Sequence, residues 1–182
     1  MAGQIFLFDP VERFVVGTVG LPGERTFFLQ ARTGARLISV ALEKSQVLAL
    51  SERIQQILRE VRISEPLTIV EKISLDELPL ESPIDEEFRV GAIGLAYLSE
   101  RKIVELDFRA IGTPEFEQEE LLGFDSQGDE DILRVLLSLG YAESFAKRAD
   151  KMIAAGRRPC PFCGGPIDPA GHICPRANGY RR

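Results

Sequence analysis

LISVALEKSQVLALSERIQQIL, residues 37–58, changes its hydrophobic period in mid-stretch, and that change decides how the body of this chain is built. As far as Leu42 the residues are mostly β-branched or aliphatic, as a buried strand requires. From Val47 onward Leu50, Ile54, Ile57 and Leu58 recur at the spacing that puts them on one face of a helix. A second stretch, ILRVLLSLGYAESFAKRADKMI at 132–153, runs parallel to the first at an offset of 95. Val40 matches Val135, Leu42 matches Leu137, Leu50 matches Phe145 and Arg53 matches Arg148. Upstream of each, FVVGTVGL at 14–21 matches FRVGAIGL at 88–95, at an offset of 74.

Together these matches predict an internal repeat of strands followed by one helix. Because the offsets differ by 21, the second copy should carry an insertion of about that size. TPEFEQEELLGFDSQGDED at 113–131, with eight acids and no Lys or Arg, fits it and suits a mobile surface loop. In the first copy RTFFLQA at 25–31 and ARLISVAL at 35–42 flank Arg32-Thr33-Gly34, a hairpin turn. In the second, FRVGAIGLAYL and KIVELDFRAIG flank Ser99-Glu100-Arg101. Phe145, Ala149, Met152 and Ile153 line the second helix, which Gly156 should stop. With QIFLF at 4–8 as a further strand, the expectation is an α+β fold, ββββα-βββα-like. It is an antiparallel sheet with helices on one face and a C-terminal zinc knuckle. Repeat one covers about 1–60, a connector about 61–85 with at most one short strand, and repeat two about 86–156; residues 157–182 form the knuckle and a basic tail. The Gly-x-x-Gly pairs at 17–20 and 91–94 open no helix, so they point to strand curvature or bulges rather than to phosphate binding.

CPFCGGPIDPAGHIC, residues 160–174, contains every cysteine and the only histidine of the 182-residue chain. Cys160 and Cys163 make a CPxCG turn, and Gly164 can take the positive φ that such a turn needs. The prolines and glycines that follow fold the chain back, so that His172 and Cys174 complete a tetrahedron around a structural Zn2+. If His172 turned away, the zinc would keep an open position. A redox CxxC would require a strand before it and a helix after it. With thiols and imidazole taken up by metal, catalysis would fall to carboxylates in a sheet cleft, and no carboxylate pair stands out from the acidic surface. The expectation is a non-enzymatic binding or adaptor protein, with a carboxylate or open-zinc enzyme as the rival.

The net charge is −6, but residues 157–182 carry +4 and the remainder therefore −10. An acidic body repels a phosphate backbone, whereas the tail can meet one. Arg157, Arg158, Arg176, Asn178, Tyr180, Arg181 and Arg182 are the candidates for contact with a protein or nucleic-acid partner. No apolar run approaches the length of a membrane span, and MAGQIFLFDP lacks the pattern of a signal peptide. Three cysteines in a metal-type spacing favour a reducing cytoplasm.

The strand-strand-strand-helix order over residues 1–155 resembles the ββββα repeats of Whirly and PUR-type single-stranded nucleic-acid-binding proteins. That likeness implies their architecture, without their basic binding face. The combination of GTVGLPGERTFFLQAR, ISVALEKSQV and AAGRRPCPFCGGPIDPAGHICPRANGYRR resembles an uncharacterised family widespread in actinobacteria, over nearly the full length. The resemblance implies the same metal motif and a pathway shared with phosphatase-like and kinase-like neighbours, but no activity.

Overall fold

The first strand pairs with the last of the described strands, so the two ends of the body meet in one sheet. In the computed structural model, which describes residues 3–21, 23–112, 130–155, 160–165, 167 and 172–176, seven strands form one sheet. They are β1 Ile5–Phe8, β2 Arg13–Val19, β3 Thr26–Thr33, β4 Arg36–Leu42, β5 Glu86–Leu98, β6 Ile103–Ala110 and β7 Ile132–Ser138. Helix α1, Lys44–Ser64, follows β4, and α2, Leu139–Ala154, follows β7. The sheet order is β1-β7-β6-β5-β4-β3-β2. Within each unit neighbouring strands are antiparallel, as expected, but the β4/β5 and β1/β7 junctions are parallel. The sheet is therefore mixed, and the fold is α+β.

The order forces strong curvature. β1 and β2 stand at opposite ends of the strand order, yet only residues 9–12 join them. Five Cα steps span at most about 18 Å, whereas seven flat strands would put the edges about 29 Å apart. The sheet must curl, and both helices pack on its core face. Phe14 and Val16 of β2, Leu29 of β3, Val40 of β4, Leu106 and Phe108 of β6 and Val135 of β7 join the buried stripes of α1 and α2 in one cluster. Val47, Leu50, Ile54, Ile57 and Leu58 are all buried, as their spacing requires. Val61 continues the stripe, so α1 runs to Ser64 and the connector begins later than about residue 61.

β2 and β5 do not correspond at the offset of 74. Across the sheet, Val16, Leu29, Val40 and Phe88 form one row of paired residues. Leu95, Leu106, Val135 and Phe8 form the matching row in the other half. Val16 thus stands where Leu95 does, an offset of 79, while Val40 and Val135 keep the offset of 95. The short glycine-rich match is therefore five residues out of structural register, and β5 also carries a bulge at Gly91, between Val90 and Ala92. Gly17 serves a different end: a Cβ there would lie 2.6 Å from Leu80.

Residues 65–85 carry no strand, yet they are tied down firmly against β2. Arg148, on the buried face of α2, donates through Nε to Val16 O at 2.7 Å and through Nη2 to Leu78 O at 2.8 Å. Its Nη1 donates to Asp76 O and to Asp76 Oδ1. Arg13 grips the same carboxylate, with Nε 2.6 Å from Asp76 Oδ2, and donates to Pro79 O at 2.9 Å. Further along, the buried Gln30 side chain donates to Glu81 O at 2.9 Å and accepts from Glu81 N at 2.8 Å, acting as a substitute strand backbone. Gly140, at the start of α2, lets the connector pass, since a Cβ there would lie 2.3 Å from Glu71 O. Gly140→Ala is expected to destabilise by about 1–3 kcal/mol through overpacking, read by thermal unfolding; an unchanged melting temperature would contradict the close approach.

The Arg13 guanidinium holds the Asp76 carboxyl below its ordinary value of 3.8, and the Leu78 N–H adds to the effect against the cost of burial. A depressed carboxyl adds stability that is fully present above its unfolded value and is lost as the pH falls through the folded one. Stability should therefore drop on acidification below about pH 4. Urea unfolding of Asp76→Asn across that range should show a flatter acid limb than the unaltered protein.

Candidate metal centre

Past α2 the chain reaches Cys160, where a tight turn gathers the ligands. Cys160 N donates to Gly165 O at 2.7 Å and Gly164 N to Cys160 O at 2.8 Å, closing the loop on itself. Gly164 has φ +73°, a conformation that side chains disfavour. Cys163 lies inside this loop, while His172 and Cys174 arrive from the returning segment.

The ligand atoms of Cys160, Cys163, His172 and Cys174 all lie within 4.8 Å of one another. Cys160 Sγ is 3.7 Å from Cys174 Sγ, and Cys163 Sγ is 3.7 Å from His172 Nε2. A tetrahedral ion with metal–sulfur bonds of about 2.3 Å has sulfur–sulfur edges of about 3.8 Å and sulfur–nitrogen edges of about 3.5 Å. The two distances match opposite edges of such a tetrahedron and are far too long for a disulfide. The sequence-predicted quartet is thus brought together and can hold a metal ion.

Electrostatics explains why a cation is wanted there. N–H groups of Cys163 and Phe162 donate to Cys160 and lower its thiol below the ordinary value. At Cys163 the Gly165 N–H also favours the thiolate, but burial and the adjoining Cys174 and Cys160 sulfurs outweigh it and push the thiol up. With the sulfurs so close together, ionising one opposes ionising the next, and a bound cation removes the conflict.

Of the candidate contact residues, Arg176 is placed: its Nη1 donates to Phe162 O at 3.3 Å, tying the segment after Cys174 to the loop between the first two cysteines. Phe162 and Ile173, each between two ligands, are 63% and 83% exposed. Arg157, Arg158, Asn178, Tyr180, Arg181 and Arg182 lie outside the described residues, as do Gly156 and residues 113–129 of the acidic insertion.

The body holds a constellation that sequence reasoning missed, the Arg13–Asp76–Arg148 clamp. Its signal was present: Phe145, Arg148, Ala149 and Met152 share one helical face, so a charge stood in an apolar stripe. Both guanidiniums spend their donors on connector carbonyls and on Asp76, which is structural work. Among the described residues no helix is long and apolar enough to cross a membrane.

A family model described as Protein of unknown function (DUF3090) matches residues 6–174. No curated protein and no solved structure matches the chain.

Proposed function

The chain belongs to the DUF3090 family of proteins of unknown function, and we propose that it is a non-enzymatic, zinc-dependent binding or adaptor protein. The observation that carries this reading is the closed donor set, three thiols and one imidazole within 4.8 Å of one another. Thiolate-rich tetrahedral sites suit zinc, and four protein ligands would leave it no position for water or substrate. Zinc would then act as a cross-link that shapes the C-terminal segment, in a reducing, cytoplasmic setting that keeps the thiols available.

The shaped segment presents the basic tail to an anionic partner, a nucleic acid or an acidic protein surface. Arg176 stands next to the cross-link, and Arg157, Arg158, Arg181 and Arg182 supply further phosphate-directed charge, with Asn178 to hydrogen-bond and Tyr180 to stack on a base. A gel-shift series at low salt with single-stranded DNA and RNA tests the nucleic-acid form. The expected result is salt-sensitive binding that Arg176→Ala, Tyr180→Ala and metal chelation each weaken. No shift with either polymer would remove nucleic acid as the partner and leave an acidic protein, to be sought by affinity capture with and without residues 157–182.

A further inference from the structure

The two matching rows of the sheet place a second pair of surfaces in correspondence. The 95-residue shift that carries Val40 to Val135 carries Gln46, Ala49, Leu50 and Arg53 of α1 to Tyr141, Ser144, Phe145 and Arg148 of α2. The 79-residue shift between the strands carries Glu12 and Phe14 to Gly91 and Ile93. Each set lines a cavity between its helix and its strand.

The two cavities differ in what fills them. The one between α2 and β2 is about 80 Å³, and Ile73, Ser74 and Asp76 of the connector form part of its wall. There Asp76 accepts from Arg148 at 3.2 Å, and Ser144 donates to Ser74 O at 3.2 Å. The groove between α1 and β5 is about 310 Å³, and no connector residue lines it. Its walls are Ala49, Leu50, Ile93 and Leu95, with Gln46 at one end held by its bond to Val90 O at 3.0 Å. Arg53 stands in the position of Arg148, half exposed, with an ion pair to Glu60 at the long distance of 3.9 Å. That volume lies at the lower end of the range for binding pockets, and an apolar trough with one cation matches an amphipathic anion.

We propose that the α1/β5 groove binds an extended segment of a partner protein whose carboxylate engages Arg53. An apolar residue three positions before that carboxylate would pack on Ala49, Leu50, Ile93 and Leu95, as Ile73 stands to Asp76 in the filled groove. The molecule would then carry a related recognition twice: once satisfied by its own connector, where Arg13 is a second cation on Asp76, and once, with Arg53 alone, left unfilled among the described residues. This site is separate from the metal-clamped tail, and its test does not depend on the tail's role.

The probe is a fluorescein-labelled synthetic peptide with the sequence of residues 70–82, VEKISLDELPLES, titrated against the intact, metal-loaded chain and followed by anisotropy. Saturable binding is expected, weakened about tenfold or more by Arg53→Glu, as for a lost hydrogen-bonded charge. Ala49→Trp, which fills the trough, should abolish it. A peptide with Asp76→Lys should bind the unaltered protein poorly and recover affinity for Arg53→Glu. Thermal melts of both variants should match the parent, since Arg53 and Ala49 lie at the surface. Absence of peptide binding, or binding indifferent to Arg53→Glu and Ala49→Trp, would overturn the proposal. So would octanoate binding with the Arg53 and Ala49 dependence while the peptide fails, which would make the groove a site for small carboxylates.

Discussion

Arg148→Ala is expected to lower the stability of the folded chain by about 3–5 kcal/mol, the range for removing one member of a buried charge cluster. Arg148 is 6% exposed, and its guanidinium is shared among Val16 O, Leu78 O, Asp76 O and the Asp76 carboxylate. Truncation takes this donor from Val16 O and Asp76 O, leaves Leu78 O to Arg13 alone, and loosens the hold of the connector on the sheet edge. Burial lowers the Arg148 pKa from its ordinary value, opposed by the attraction of Asp76, so the carboxylate is what makes the buried charge tolerable. Arg148→Lys keeps the charge but not the planar fork, and should recover only part of the loss. Arg53→Ala, at the matching position of α1 but exposed, should stay within about 0.5 kcal/mol of the parent. Urea unfolding followed by circular dichroism gives all three values. A loss below about 1 kcal/mol for Arg148→Ala would mean that water replaces the guanidinium and that the connector is held by other contacts.

Cys163→Ser is expected to abolish stoichiometric zinc binding. Purified parent protein should carry about one zinc per chain, as a single four-ligand site requires. The variant should lose more than about a hundredfold in affinity, since a serine hydroxyl does not replace a thiolate at a structural zinc. The loss should be local. None of the four ligands belongs to the core cluster of sheet and helices, so the melting of the body should be nearly unchanged. Limited proteolysis should instead cut the segment after Ala154 faster in the variant and in chelated parent. Parent protein purified under reducing conditions without metal would contradict the site, and cooperative unfolding of the whole chain on chelation would contradict its separateness.

Much of this protein was legible from local pattern. The switch from strand to helix at residues 42–47, the stripes of both helices, the two hairpins and the Cys160, Cys163, His172, Cys174 quartet all follow from spacing. Periodicity and ligand spacing act over a few residues, and the chain's geometry carries them unchanged into the fold. The same locality left the role of Arg148 unread. Its helical face is evident from sequence, but its partners, Val16 and Asp76, lie 132 and 72 residues away.

From sequence alone come the α+β class, most element boundaries and the four residues that can hold a metal, because each depends on short-range periodicity or on side-chain chemistry. The curl of the sheet, the two parallel junctions and the register that gives Val16 and Leu95 corresponding places in their rows came only from the tertiary structure. It alone showed that the connector walls one groove and that, among the described residues, none of the connector enters its counterpart. Strand order and register are settled by which apolar surfaces can be buried together, a property of the whole chain that no single stretch contains.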